Sequence, residues 1–180
     1  MKKKLYKEIE IPKGIEAEIE ENVLRVKGPE GENKRKFSLG RLEFKKEGNK
    51  IIVGKDSSTK REKKTMNAIA SHIKNMIAGV QSKFEYQLKI CFSHFPITVE
   101  MKGKEILIKN FLGEKTPRKT HIPEGADVEI QKDIIKVKST DKELAGQVAA
   151  NFETITKIRN RDKRVFQDGI FITNKAGREM

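Results

Sequence analysis

Cysteine, serine and histidine meet at Cys91-Phe92-Ser93-His94, where residue type alone suggests nucleophilic or metal chemistry. The C-x-x-H spacing needs a second ligand pair for tetrahedral zinc, yet the chain has 1 Cys, and His72 and His121 are remote in sequence. Catalysis through Ser93 or Cys91 would need a base held by a carboxylate. No G-x-S-x-G elbow occurs, and no acid is placed to orient His94. Gly28-Pro29-Glu30-Gly31 is formally a G-x-x-G, which in KH domains clamps a nucleotide backbone. Here it follows a strand and carries Pro and Glu instead of basic residues, so it reads as a turn between strands. P-loop and dinucleotide fingerprints are absent. Glu16, Glu18, Glu20 and Glu21 interleave with apolar residues and read as a solvated strand face, not an acid/base pair. The expectation is a protein with no catalytic residues, no metal ligands and no cofactor.

Cations carry the remaining signal. The 180 residues hold 39 Lys and Arg against 26 Asp and Glu, a net charge of +13, and such an excess points to a polyanionic partner. Three clusters stand out. Lys55, Lys60, Arg61, Lys63 and Lys64 surround a helix start, where part of the charge is solvated surface. Lys102, Lys104, Lys109, Lys115, Arg118 and Lys119 decorate a hairpin and the loop after it, and Lys157, Arg159, Arg161, Lys163 and Arg164 follow a second helix. Loops and helix ends of this kind can follow an irregular phosphate backbone. Aromatic residues make up 6% with no Trp, and Phe44, Phe84, Tyr86 and Phe92 sit at alternating strand positions expected in the core. Base stacking is therefore poorly provided for, and no recognition helix for DNA is visible. Folded RNA bound by shape and phosphate contact fits best. No apolar run reaches the ~18–20 residues that span a bilayer. Met1-Lys2-Lys3-Lys4 leads into no apolar segment, and the single cysteine suits a reducing compartment. A cytoplasmic location is expected.

The elements that must position these cations come in two copies. Ile15–Ile19 and Val23–Lys27 read as a hairpin, and Ile97–Met101 with Glu105–Lys109 repeats it. Lys50-Ile51-Ile52-Val53 corresponds to Asp133-Ile134-Ile135-Lys136-Val137. Thr59-Lys60-Arg61-Glu62 is a capping box that opens a helix with Met66, Ile69, Ile73, Ile77 and Val80 on one face and Gly79 as its stop. Thr140-Asp141-Lys142-Glu143 repeats the box before Leu144, Val148, Phe152 and Ile155. Phe84 to Phe92 alternates as a long strand with one buried face. The fold class expected is α+β: two tandem duplicated domains, each a small, mostly antiparallel sheet covered on one face by one helix. The domains would span 1–80 and 84–157, joined by a short linker at 78–82 and followed by a basic tail over 158–180.

Arg164-Val165-Phe166-Gln167-Asp168-Gly169-Ile170-Phe171 resembles the R-x-F-x-D-G-[aliphatic]-[Tyr/Phe] signature of the sixth large-subunit ribosomal protein family, in its archaeal and eukaryotic branch. Ile158, Arg161 and Arg164 fall at the family's aliphatic and basic steps, while Thr154 stands where Gln is expected. Ile9-Glu10-Ile11-Pro12-Lys13-Gly14 and the Val26–Gly31 turn resemble the family too. The resemblance implies a ribosomal location and binding to large-subunit ribosomal RNA through the second domain and tail. It also implies a place near the sarcin–ricin loop, with neighbouring ribosomal proteins and translational GTPases as further partners. Carried over residue by residue, it marks Lys157, Arg159, Asn160, Arg161, Lys163 and Arg164 as RNA contacts, with Lys175 and Arg178 in the tail, and gives Asp168-Gly169 a structural role. The rival reading is a free-standing tandem RNA-binding regulator.

Overall fold

The computed structural model describes residues 3–162 and 164–180, which divide at Lys83/Phe84 into two units. In the first, β2 (Glu16–Glu20), β3 (Val23–Gly28) and β4 (Gly31–Lys36) form a meander. A second sheet has the order β1 (Lys3–Glu10), β6 (Lys50–Ser58), β5 (Glu43–Glu47), and α1 (Lys60–Gln81) packs against both. The other unit repeats the plan. Strands β8 (Thr98–Lys102), β9 (Glu105–Lys109) and β10 (Arg118–His121) form the meander, and β7 (Phe84–Cys91), β12 (Ile134–Ser139) and β11 (Ala126–Gln131) take the places of β1, β6 and β5. Helix α2 (Lys142–Ile155) covers them. Every ladder among the described residues is antiparallel. Each unit is thus a duplicated α+β domain whose strands divide into two sheets around one helix.

Local chemistry explains the elements. In β2 the carboxylates of Glu16, Glu18 and Glu20 face solvent while Ala17 is buried, as period-two alternation requires. The N-cap of α1 is Thr59, whose Oγ1 accepts the Glu62 N–H at 3.4 Å while Glu62 Oε2 accepts the Thr59 N–H at 2.7 Å. All five residues of the expected apolar face are buried. Full burial of such side chains is worth about 1.5–3 kcal/mol each, which makes the stripe, not helix propensity, the main support of α1.

Four local expectations differ from the structure. Gly79 does not stop α1. It is buried inside the last turn, and the helix runs to Gln81, with Ser82 as C-cap donating its N–H to the Ala78 carbonyl. Helix therefore occupies most of the segment expected as linker. Thr140 is not the cap of α2, because Asp141 takes that role and accepts the Glu143 N–H at 2.9 Å. Ser139 Oγ in turn accepts the Asp141 N–H at 3.1 Å. The segment 158–180 is not a free tail throughout: β13 (Gly169–Lys175) pairs with β7, and β14 (Arg178–Glu179) pairs with β13. Ile170 is fully buried opposite Ile90, so burying that aliphatic side chain is what draws the segment into the sheet. Lastly, Phe92 is 44% exposed, because the β7–β13 ladder ends at Cys91↔Gly169 and the alternation stops there.

Candidate nucleic-acid interface

The expected contacts scatter over the second unit, and the fold gathers only some of them. Arg118, Lys157, Arg159 and Arg161 line one groove of about 730 Å³, with Glu114 among them. Helix α2 creates the groove by ending at Ile155, which sends the chain outward with Lys157, Arg159 and Arg161 exposed. Asn160 sits between the two arginines in the left-handed conformation, φ 57°, a turn its short amide side chain tolerates. Ile158, buried, anchors the segment to the core.

Arg118 is committed within the protein. Its Nε and Nη2 donate to the two Glu114 oxygens at 2.8 and 2.6 Å, and Nη1 donates to the Ile155 carbonyl at the end of α2. The guanidinium also stands 4.3 Å from the Phe111 ring centre. This cation closes the C-terminus of α2, where positive charge complements the helix dipole. The Arg118 hydrogen bond, aided by its charge and that of Arg161, holds the Glu114 carboxyl below its ordinary range. Lys157, Arg159 and Arg161 have no ion-pair partner among the described residues, so their charges point at the groove and solvent. Arg161 stacks 4.8 Å from the Phe166 ring centre, which limits its swing.

The other cations are placed differently. Lys104 is paired with Glu124 at 2.6 Å and Lys109 with Glu100 at 2.7 Å, which lowers the Glu100 pKa through the Lys109 hydrogen bond. Lys102, Lys115 and Lys119 are exposed. Arg164 grips Asp162 through Nη2 at 2.8 Å, and its hydrogen bonds hold that carboxyl below the usual range. Lys175 and Arg178 pair across β13 and β14, are exposed and do not line the groove. Lys163 lies outside the described residues. In the first unit, Lys55 is held by Glu62 at 2.9 Å.

A second depression, of about 810 Å³, adjoins the first, and Thr154, Lys157 and Ile158 line both. Its wall includes Phe92, Ser93, Phe166, Asp168 and Phe171. Sequence reasoning placed Phe92 in the core and passed over Phe171. The available signal was the Phe92-Ser93-His94-Phe95-Pro96 run, aromatic residues around a proline just past a strand end. Among the described residues, no cluster of three His, Cys, Asp or Glu is placed to hold a metal ion, and no helix is long and apolar enough to cross a membrane.

Comparison with known proteins adds a family. The model of the family described as ribosomal protein L6 matches residues 11–83 and again 95–169, once in each unit. The large ribosomal subunit protein uL6 of Sulfurisphaera tokodaii is 44% identical over 95% of this chain and 92% of its own length. Those of Methanobrevibacter smithii and Methanothrix thermoacetophila are 41% and 40% identical, covering 95% and 97% of this chain and 96% and 99% of their own.

Proposed function

Because the chain belongs to the ribosomal protein L6 family, in its archaeal branch, we propose that it is a non-catalytic constituent of the large ribosomal subunit that holds ribosomal RNA through its second unit. The observation that carries the proposal beyond family membership is the groove at the end of α2. There three cations without an ion-pair partner among the described residues, Lys157, Arg159 and Arg161, project from a segment anchored by Ile158. Cations so placed neutralise phosphates and release counterions, and the rigid sheet beneath fixes their spacing to the backbone they meet. In this reading the contacts lie near the sarcin–ricin loop, beside neighbouring proteins and the docking region of translational GTPases, as the resemblance of the Arg164–Phe171 segment implies. Asn160 shapes the turn between Arg159 and Arg161, while Lys102, Lys115, Lys119, Lys175 and Arg178 add outlying phosphate contacts.

Charge reversal tests the reading. Lys157→Glu with Arg159→Glu is expected to weaken binding to archaeal large-subunit RNA far more than Lys45→Glu with Lys46→Glu at matched salt. Equal losses would overturn the assignment to the second unit. In sucrose gradients the chain is expected to co-migrate with large subunits in stoichiometric amount and to resist moderate salt. A free-standing regulator would stay at the top.

A further inference from the structure

We propose that the depression beside the cationic groove takes an unstacked nucleobase of the bound RNA, stacked against Phe171 and Phe92 with a donor edge turned to Asp168. The inference rests on the RNA-binding reading above and extends it from phosphates to a base. Exposed rings are the first ground. Phe92 and Phe171 are 44% and 42% exposed, although large apolar side chains leave water readily when a partner is at hand. Ile170 is buried, so its neighbour Phe171 points off the opposite side of β13. The ring then lies against Gly169, where a Cβ would come within 3.0 Å of its Cζ. The missing side chain at Gly169 therefore leaves the ring its seat.

Asp168 is the second ground. Asp168 is 3% exposed as a residue, and Oδ1 alone accepts both Ser93 donors, the N–H at 3.0 Å and the hydroxyl at 2.9 Å. Oδ2 has no hydrogen-bond donor among the described residues, and Asp168 lines the depression. Among the described residues no buried side-chain oxygen is left without a partner, so Oδ2 is open to the depression, where the amino and ring N–H groups of a nucleobase can replace water as its donor. An apolar peptide side chain or an acyl chain would cover the rings but leave Oδ2 unpaired. The third ground is charge: Lys157 stands at the junction of the two depressions and Arg161 stacks on Phe166 at the same wall, so phosphates flanking an inserted base meet cations. The volume of about 810 Å³ falls within the ~300–1,000 Å³ usual for small-molecule clefts.

Two measurements decide it. The unaltered protein is bound to deproteinised archaeal large-subunit RNA, irradiated with short-wavelength ultraviolet and digested. Base crosslinks are expected on the peptides that carry Phe92 or Phe171. The variants Phe171→Leu and Phe92→Leu, checked for unchanged thermal unfolding, are expected to bind on the order of tenfold more weakly with the salt dependence unaltered, since stacking releases no counterions. Absence of crosslinks from both peptides, with both variants binding as tightly as the parent while Lys157→Glu weakens binding, would overturn the base pocket and leave the RNA reading standing. Crosslinks in native subunits from these rings to a polypeptide would overturn it too. Failure of the parent to bind the RNA would remove both readings.

Discussion

The carboxylate of Asp168 holds both the backbone N–H and the hydroxyl of Ser93, at 3.0 and 2.9 Å, across a separation of 75 residues. The contact ties the loop after β7 to the residue just before β13, where the ladder ends at Cys91↔Gly169. Asp168 is 3% exposed, so at Oδ1 those two donors take the place of water. Asp168→Ala is expected to destabilise the chain by about 1.5–3 kcal/mol, the range for hydrogen bonds to a charged group, with Asp168→Asn recovering part of the loss. Urea unfolding followed by circular dichroism measures it, and a change within error would mean that solvent replaces Asp168 freely.

The turn at Gly28–Gly31 is bounded by α1. A Cβ at Gly28 would stand 2.8 Å from the Val80 carbonyl oxygen and 2.9 Å from its Cγ2, and the Glu30 N–H donates to that same carbonyl at 3.1 Å. Gly28→Ala must therefore push the β3–β4 turn off the helix end and strain that bond. A loss of about 1–3 kcal/mol is expected in the same unfolding experiment, in the range of overpacked cores. Stability equal to the parent would show that the turn moves without cost.

Much of this architecture is legible in the sequence because it is local. The capping box at Thr59, the helix stripe and the period-two strands follow from residues within one or two turns of each other. What escapes depends on distant partners. Gly79 looks like a stop until Val80 is seen buried beside the Glu30 N–H. Gly169 to Thr173 reads as tail because its pairing partner β7 lies far back in the chain. The basic run after α2 is visible, but which cations are free is not. Arg118 looks like Lys119 in sequence, and only the fold brings Glu114, Phe111 and the Ile155 carbonyl around it.

Glu62 couples the start of α1 to pH. The Thr59 backbone N–H, then the Lys55 ammonium and the Thr59 hydroxyl, bring its carboxyl from the ordinary 4.5 down to about 2. A folded-state value below the unfolded one means the ionised form favours folding. That contribution is complete above pH 4.5 and lost as pH falls toward about 2. Glu62→Gln is therefore expected to melt below the parent at neutral pH, with the gap closing across that window. Parallel melting curves with a constant gap would show that the hydrogen bonds do not depend on ionisation.

Arg118 separates structural from RNA-binding cations. A lysine cannot reproduce two parallel bonds to Glu114, a third to Ile155 and stacking on Phe111. Arg118→Lys keeps the charge, so it is expected to destabilise the chain by about 1–3 kcal/mol. The salt dependence of RNA binding should be unchanged. A flatter dependence with full stability would mean the guanidinium leaves Glu114 for a phosphate.

Lys157 and Arg159 should behave in the opposite way. Both are exposed and lack ion-pair partners among the described residues, so removing either breaks no internal bond. Each phosphate neutralised contributes about 0.9 to the slope of log affinity against log salt on a duplex, and about 0.7 on a single strand. Lys157→Ala and Arg159→Ala are each expected to flatten the slope by roughly that amount, near-additively, with unfolding midpoints unchanged. Lys45→Ala, whose ammonium lies 3.5 Å from Glu43 in the first unit, should leave the slope alone. Filter binding over a salt series reads all three together. A uniform flattening would spread the phosphate contacts over the whole basic surface; a change confined to Lys157 and Arg159 would fix them at the end of α2.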